Sequence, residues 1–97
     1  MSLYLDKQII ANSGNAKAQF NLAQMIVDQR PTYAGFKGAL PWYESAAKAG
    51  LPDAQYAYAT ILAAGNGIPV PRLDEARTWM TRSALGGFDT AQVELGI

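Results

Sequence analysis

The chain has 97 residues, eight basic and eight acidic side chains, a formal net charge of zero, and neither cysteine nor histidine. Disulfides and thiolate metal sites are therefore excluded, and the commonest general base, metal ligand and pH switch is missing. The interspersed charge offers no basic patch for nucleic acid, and no apolar run approaches the roughly 18 residues that span a bilayer.

With 49% apolar residues, the composition suits one small packed domain rather than a disordered chain. The first residues, from Met1 to Lys7, lack a basic region followed by an apolar core, so they are not expected to act as a signal peptide. Residues 4–13 carry Leu5, Ile9 and Ile10 on one side, with Asp6, Lys7 and Gln8 on the other. This spacing predicts a short amphipathic helix, stopped at Gly14.

Asn15 can cap the next helix, which runs to about Asp28. Its expected core face holds Ala18, Leu22, Met25 and Ile26, flanked by Phe20 and Ala23. Arg30-Pro31-Thr32 breaks the pattern. A helix follows from about Lys37 to Ala49, with Ala39, Trp42, Tyr43, Ala46 and Ala47 on one face. Pro41 lacks an N–H and is best tolerated in a first turn, so this helix is expected to start late, near Gly38, or to bend at its beginning. Gly50 closes it.

Pro52 opens the next helix, whose core face is Ala54, Tyr58, Ile61 and Leu62. Gly65-Asn66-Gly67 ends it, Ile68 tucks under the turn, and Pro69-Val70-Pro71 is extended. A further helix spans about Leu73 to Leu85, with Ala76, Trp79, Met80, Ser83 and Ala84 inward, and Gly86-Gly87 ends it. Asp89 or Thr90 is expected to cap a last helix that stops at Ile97.

The pattern repeats. Ala18-Gln19 recurs at Ala54-Gln55 and Ala91-Gln92, steps of 36 and 37. Trp42 recurs at Trp79, a step of 37, and Gly14, Gly50 and Gly87 keep the same spacing. A fixed period of this size marks a stack of supersecondary units, each burying its apolar face on its neighbour. Alanine, at 17 of 97 residues, lets such helices approach closely. The fold class is therefore all-α, a solenoid of antiparallel helix hairpins. Its expected segments are 1–14 as the end of a preceding unit, 15–50 and 51–87 as two full units, and 88–97 as the start of another.

These residues resemble the Sel1-like repeat family, a relative of the tetratricopeptide repeats. The family's unit resembles A-x-x-x-L-G-x-x-Y-x-x-G-x-G-V, a variable linker, then A-x-x-W-Y-x-x-A-A-x-x-G. The second unit matches at Ala54, Gly65, Gly67, Ile68, Ala76, Trp79, Ala84 and Gly87. The first matches at Ala18, Leu22, Ala39, Trp42, Tyr43, Ala46, Ala47 and Gly50, and a third begins at Ala91 with Leu95-Gly96. Three departures stand out: Gln29 and Pro31 replace the turn glycines of the first unit, Tyr58-Ala59 replaces L-G, and Ala23 replaces a glycine. A strict tetratricopeptide repeat needs a 34-residue step, which this chain lacks. The resemblance implies a non-enzymatic adaptor or scaffold that binds a protein or peptide. Its relatives' settings allow bacterial cytoplasm, periplasm or envelope. The cysteine-rich branch associated with β-lactam binding is excluded by composition.

Candidate chemistry is sparse. Gly65-x-Gly67 could cradle a phosphate, but no Lys-Ser or Lys-Thr follows, and the pattern is the repeat's own turn. Asp28, Glu44, Asp53, Asp74, Glu75, Asp89 and Glu94 could supply an acid–base pair, but they are scattered, and several suit helix starts. Trp42, Trp79, Tyr43, Tyr56 and Tyr58 could stack on a sugar or base, but their spacing is that of core aromatics. No catalytic residue, cofactor or metal ligand is expected.

Surfaces remain. In a stack of hairpins the first helix of each unit lines the concave side. Beside the core positions of those helices lie Asn21, Gln24 and Asp28 in the first unit and Ala57, Thr60 and Ala64 in the second. Together they are the expected partner-binding stripe, polar at one end and small at the other. Two alternatives are a purely structural spacer in a longer chain and, more distantly, a hydrolase or carbohydrate-binding module. Val93, Leu95 and Ile97 at one end, and Leu5, Ile9 and Ile10 at the other, lead to two further expectations: flanking repeats in a parent protein, and end-to-end self-association of the isolated chain.

Overall fold

The computed structural model describes residues 15–96, and the expected helix over 4–13 lies outside them. Five helices follow in order: α1 Ala16–Gln29, α2 Tyr33–Lys48, α3 Pro52–Ala64, α4 Leu73–Leu85 and α5 Asp89–Leu95. Each packs chiefly on the helices next to it in sequence, so the described residues form an all-α stack of hairpins.

The two junctions between hairpins share one construction. At the end of α2, Gly50 N–H donates to Ala47 O at 3.0 Å, and Leu51 N–H donates to Ala46 O at 3.3 Å. Gly87 and Phe88 donate likewise to Ala84 O and Ser83 O at 3.0 and 3.1 Å. This is the Schellman pattern, which needs a left-handed residue; Gly50 and Gly87 supply it at φ +97° and +95°. Leu51 and Phe88 then serve at once as the N-caps of α3 and α5. The expected cap at Asp89 or Thr90 is therefore incorrect. Phe88 takes the position because its ring packs 5.0 Å from that of Tyr56, and Asp89 moves into the first turn, where a carboxylate faces the positive end of the helix dipole.

The recurrent glutamine belongs to this same junction. Gln55 is 7% exposed and donates from Nε2 to Ala47 O at 3.1 Å. Gln92 does the same to Ala84 O at 3.0 Å. Each reaches back eight residues to the carbonyl that already accepts the glycine N–H, so both lone pairs of that oxygen are used. Gln19, the first of the three, is also buried.

The turns inside the hairpins differ. Between α3 and α4 the chain passes through Gly65 (φ +76°) and Gly67 (φ +78°), buries Ile68, and returns through Arg72, whose N–H donates to Leu62 O at 2.9 Å. Between α1 and α2 only Arg30, Pro31 and Thr32 intervene, with no glycine; Thr32 Oγ1 caps α2 by accepting from Gly35 N–H at 3.3 Å. The period survives because α2 is longer, with 16 residues against 13 in α4. The expected late start of α2 near Lys37 or Gly38 is therefore incorrect. Pro41 sits inside the helix and leaves the Lys37 carbonyl without its usual donor.

The core is built largely of small residues. Ala23, Ala39, Ala46, Ala47, Ala54, Ala59, Ala76, Ala84 and Ala91 are buried, with Leu22, Leu62, Tyr43 and Ser83 as the largest side chains that are fully enclosed. In α1 the buried face centres on Gln19, Leu22 and Ala23, while Ala18, Met25 and Ile26 are half-buried. That shifts the expected core face by part of a turn: Ala23 has almost no side chain and admits the neighbouring helix. One edge-on aromatic pair bridges each hairpin: Phe20 with Tyr43 at 6.0 Å, and Tyr58 with Trp79 at 5.7 Å.

Candidate functional site

The six stripe residues lie on the first helix of each hairpin, with Asn21, Gln24 and Asp28 on α1 and Ala57, Thr60 and Ala64 on α3. Five are exposed and Ala57 is half-buried. Two are tied to the core beneath: Tyr43 donates its hydroxyl to Gln24 Oε1, and the Asp28 carboxylate bears on the same phenol. Thr60 spends its hydroxyl locally on Ala57 O at 2.8 Å. The stripe therefore presents two carboxamides and one carboxylate on α1, with short side chains on α3.

The buried tyrosines connect the helices through their hydroxyls. Burial, reinforced by Asp28, pushes Tyr43 up from 10.0 to about 12. Burial also raises Tyr58, helped by its 3.0 Å hydrogen bond to Glu44 Oε2. Both phenols hold their protons more tightly folded than unfolded. Their contribution is therefore complete below pH 10.0 and is lost as pH rises above it, for Tyr43 over the range up to about 12. Stability should fall over that window, and the fall should be shallower in Tyr43→Phe. Chemical denaturation at a series of alkaline pH values checks this.

The structure adds a cleft that sequence reasoning missed. A concavity of about 400 Å³ opens between α2, α3 and the turn that follows α3. Leu40, Pro41, Leu62, Ile68 and Pro69 form its apolar wall, and Tyr33, Lys37, Glu44, Tyr58 and Arg72 bring polar groups. The nearest sequence signal is Pro41, a residue in conflict with its helix. A second concavity of about 310 Å³ lies among Ala59, Ala63, Leu73, Ala76, Met80 and Leu95, with Arg77 and Glu94 at its margin. None of the stripe residues lines either one.

The residues weighed for catalysis or stacking are dispersed. Glu44 pairs with Lys48 at 3.7 Å and Glu75 with Arg72 at 4.0 Å, both about half in solvent, where such pairs contribute little. Among the described residues no group of three or more acidic, histidine or cysteine side chains could hold a metal ion. Nor, among them, is any helix long and apolar enough to cross a membrane. Tyr43, Tyr58 and Trp79 are buried, Trp42 and Tyr56 half-buried, and the Arg82 guanidinium lies 4.7 Å from the Trp79 ring centre. Gly67 packs its backbone on α2, where an added Cβ would lie 2.5 Å from Lys37 N, so the glycine-rich turn is occupied by protein.

No sequence model of a known family matches the chain, and no curated protein does. Among solved structures it is similar to the crystal structure of a Sel1 repeat protein from Oxalobacter formigenes. The two share 33% sequence identity and a TM-score of 0.80, over 95% of this chain and 68% of the other.

Proposed function

The chain belongs to the Sel1-like repeat family, and from that premise we propose that it is a non-enzymatic adaptor that binds a protein or peptide segment. The proposed contact surface is the stripe of Asn21, Gln24 and Asp28 with Ala57, Thr60 and Ala64. The observation that carries this reading is exposure in register. Two helices in equivalent hairpin positions offer solvent-facing residues at spacings of three and four, beside core positions that are fully buried. A shallow track with polar groups at one end and short side chains at the other suits a helix or extended segment, fixed by a few hydrogen bonds and otherwise by fit.

Gln24 also anchors Tyr43, so replacing it would disturb the core as well as the surface. The cleaner test is Asn21→Arg with Thr60→Arg, at two exposed positions. The double variant should keep its helical circular dichroism and unfolding midpoint. Its affinity for a protein partner should fall about tenfold or more, the effect expected when a central contact is blocked. Undiminished binding by a folded double variant would remove the stripe from the function. A chain that captures no protein at all would favour the spacer role.

A further inference from the structure

We propose that the cleft between α2, α3 and the turn after α3 is a second, separate binding site. It would take an acidic segment of a protein partner in which a carboxylate lies next to an apolar side chain.

Three observations carry this. The first is charge. Lys37 and Arg72 line the cleft against a single carboxylate, Glu44. Glu44 is already engaged, accepting from the Tyr58 hydroxyl at 3.0 Å and pairing with Lys48 at 3.7 Å. Arg72 has only a loose 4.0 Å contact to Glu75, with both side chains about half in water, and Lys37 has no ion pair among the described residues. The unspent charge is positive. An incoming carboxylate gains both cations at little cost, because neither must break a strong bond.

The second is shape. The volume of about 400 Å³ falls in the lower part of the roughly 300–1,000 Å³ typical of ligand clefts. Beside the cations, Leu40, Pro41 and Pro69 offer an apolar wall that a neighbouring side chain can cover, backed by the buried Leu62 and Ile68. The cleft's backbone frame is held firmly: the Gly67 backbone lies directly on Phe36 and Lys37, and the Arg72 backbone N–H donates to Leu62 O at 2.9 Å. Preorganisation of this kind lowers the ordering cost of binding.

The third is Pro41. A proline inside a helix is destabilising, because it lacks an N–H and its ring crowds the preceding turn. This one lines the cleft, and the carbonyl it deprives of a donor belongs to Lys37, another lining residue. A segment bound in the cleft would bring backbone N–H groups to that neighbourhood. Residues that break a local rule are expected to concentrate at functional sites.

The test is selection of a random displayed peptide library on the full chain, followed by affinity measurement on the enriched sequences. Peptides carrying Asp or Glu adjacent to Leu, Ile or Phe should be enriched. Their affinity should drop about tenfold or more in Lys37→Glu and again with Arg72→Glu, and stay unchanged in the Asn21→Arg, Thr60→Arg double variant. Lys37 is exposed, so Lys37→Gln gives a folded check with a smaller drop in the same direction. Failure to enrich acidic peptides, or acidic peptides indifferent to Lys37→Glu, would overturn the proposal. Peptides lost only with the stripe variant would do so too, while supporting the stripe. Free glutamate competing as well as the peptide would overturn the assignment to a protein segment.

Discussion

Gly67→Ala should destabilise the fold by about 3 kcal/mol or more, whereas Gly50→Ala should cost only about 1–2 kcal/mol. Both glycines have left-handed backbone angles, φ +78° and +97°, so both substitutions carry the strain that an L side chain meets there. Only one carries a collision. A Cβ on Gly67 would lie 2.5 Å from Lys37 N and 2.8 Å from Phe36 C, and these are backbone atoms that cannot rotate aside. A Cβ on Gly50 would meet nothing within 4 Å. The turn after α3 must lift off α2 to admit the extra methyl, exposing Ile68 as it goes. Urea denaturation of the two variants beside the parent chain measures the difference. Equal costs would mean that the turn is not seated on α2 as described. Domains of this kind have only about 5–15 kcal/mol in total, so the Gly67 change should also be visible as a lower melting temperature.

Gln55→Glu is expected to be nearly as damaging, by a different route. The native amide donates to Ala47 O from a site that is 7% exposed. A carboxylate there has no proton to give, and it points its charge at a carbonyl oxygen. Burying it unpaired should cost about 3 kcal/mol or more at neutral pH. Protonation restores a donor. The folded state thus raises the pKa of the introduced group above its unfolded value, so its penalty should be small at low pH and grow as pH rises. Gln55→Ala lacks both the bond and the charge and should cost about 1–2 kcal/mol with little dependence on pH. Denaturation of both variants across the acidic range separates these effects. A Glu variant no worse than the Ala variant at neutral pH would contradict the buried bond.

This glutamine shows what was legible in the sequence and what was not. The recurrence of Ala-Gln every 36 or 37 residues identifies the repeat, and periodic alanines and aromatics place four of the described helices. What recurrence alone does not supply is the reason. Polar residues on amphipathic helices ordinarily face water, so nothing local distinguishes Gln55 from Gln24 until the carbonyl at the end of the preceding helix is known to lie beside it. The first turn failed to read for a related reason. Pro41 argued for a late helix start, yet tertiary packing outweighed the local penalty and carried α2 back to Tyr33. At α5 the local signal is a polar cap at Asp89 or Thr90, and the packing of the Phe88 ring on Tyr56 overrides it. The stripe followed from subtracting core positions. The cleft could not be found that way, because its walls are set by how α2, α3 and the turn after α3 pack on one another, which the periodicity of a single helix does not report.

The most direct test of the adaptor reading is site-specific photocrosslinking with benzoylphenylalanine at Asn21 and at Thr60, with Thr78 on α4, also exposed, as the control. A binding face on the first helices predicts one discrete protein crosslinked from Asn21 and from Thr60, and little or nothing from Thr78. The same product from all three positions, or from Thr78 alone, would contradict it.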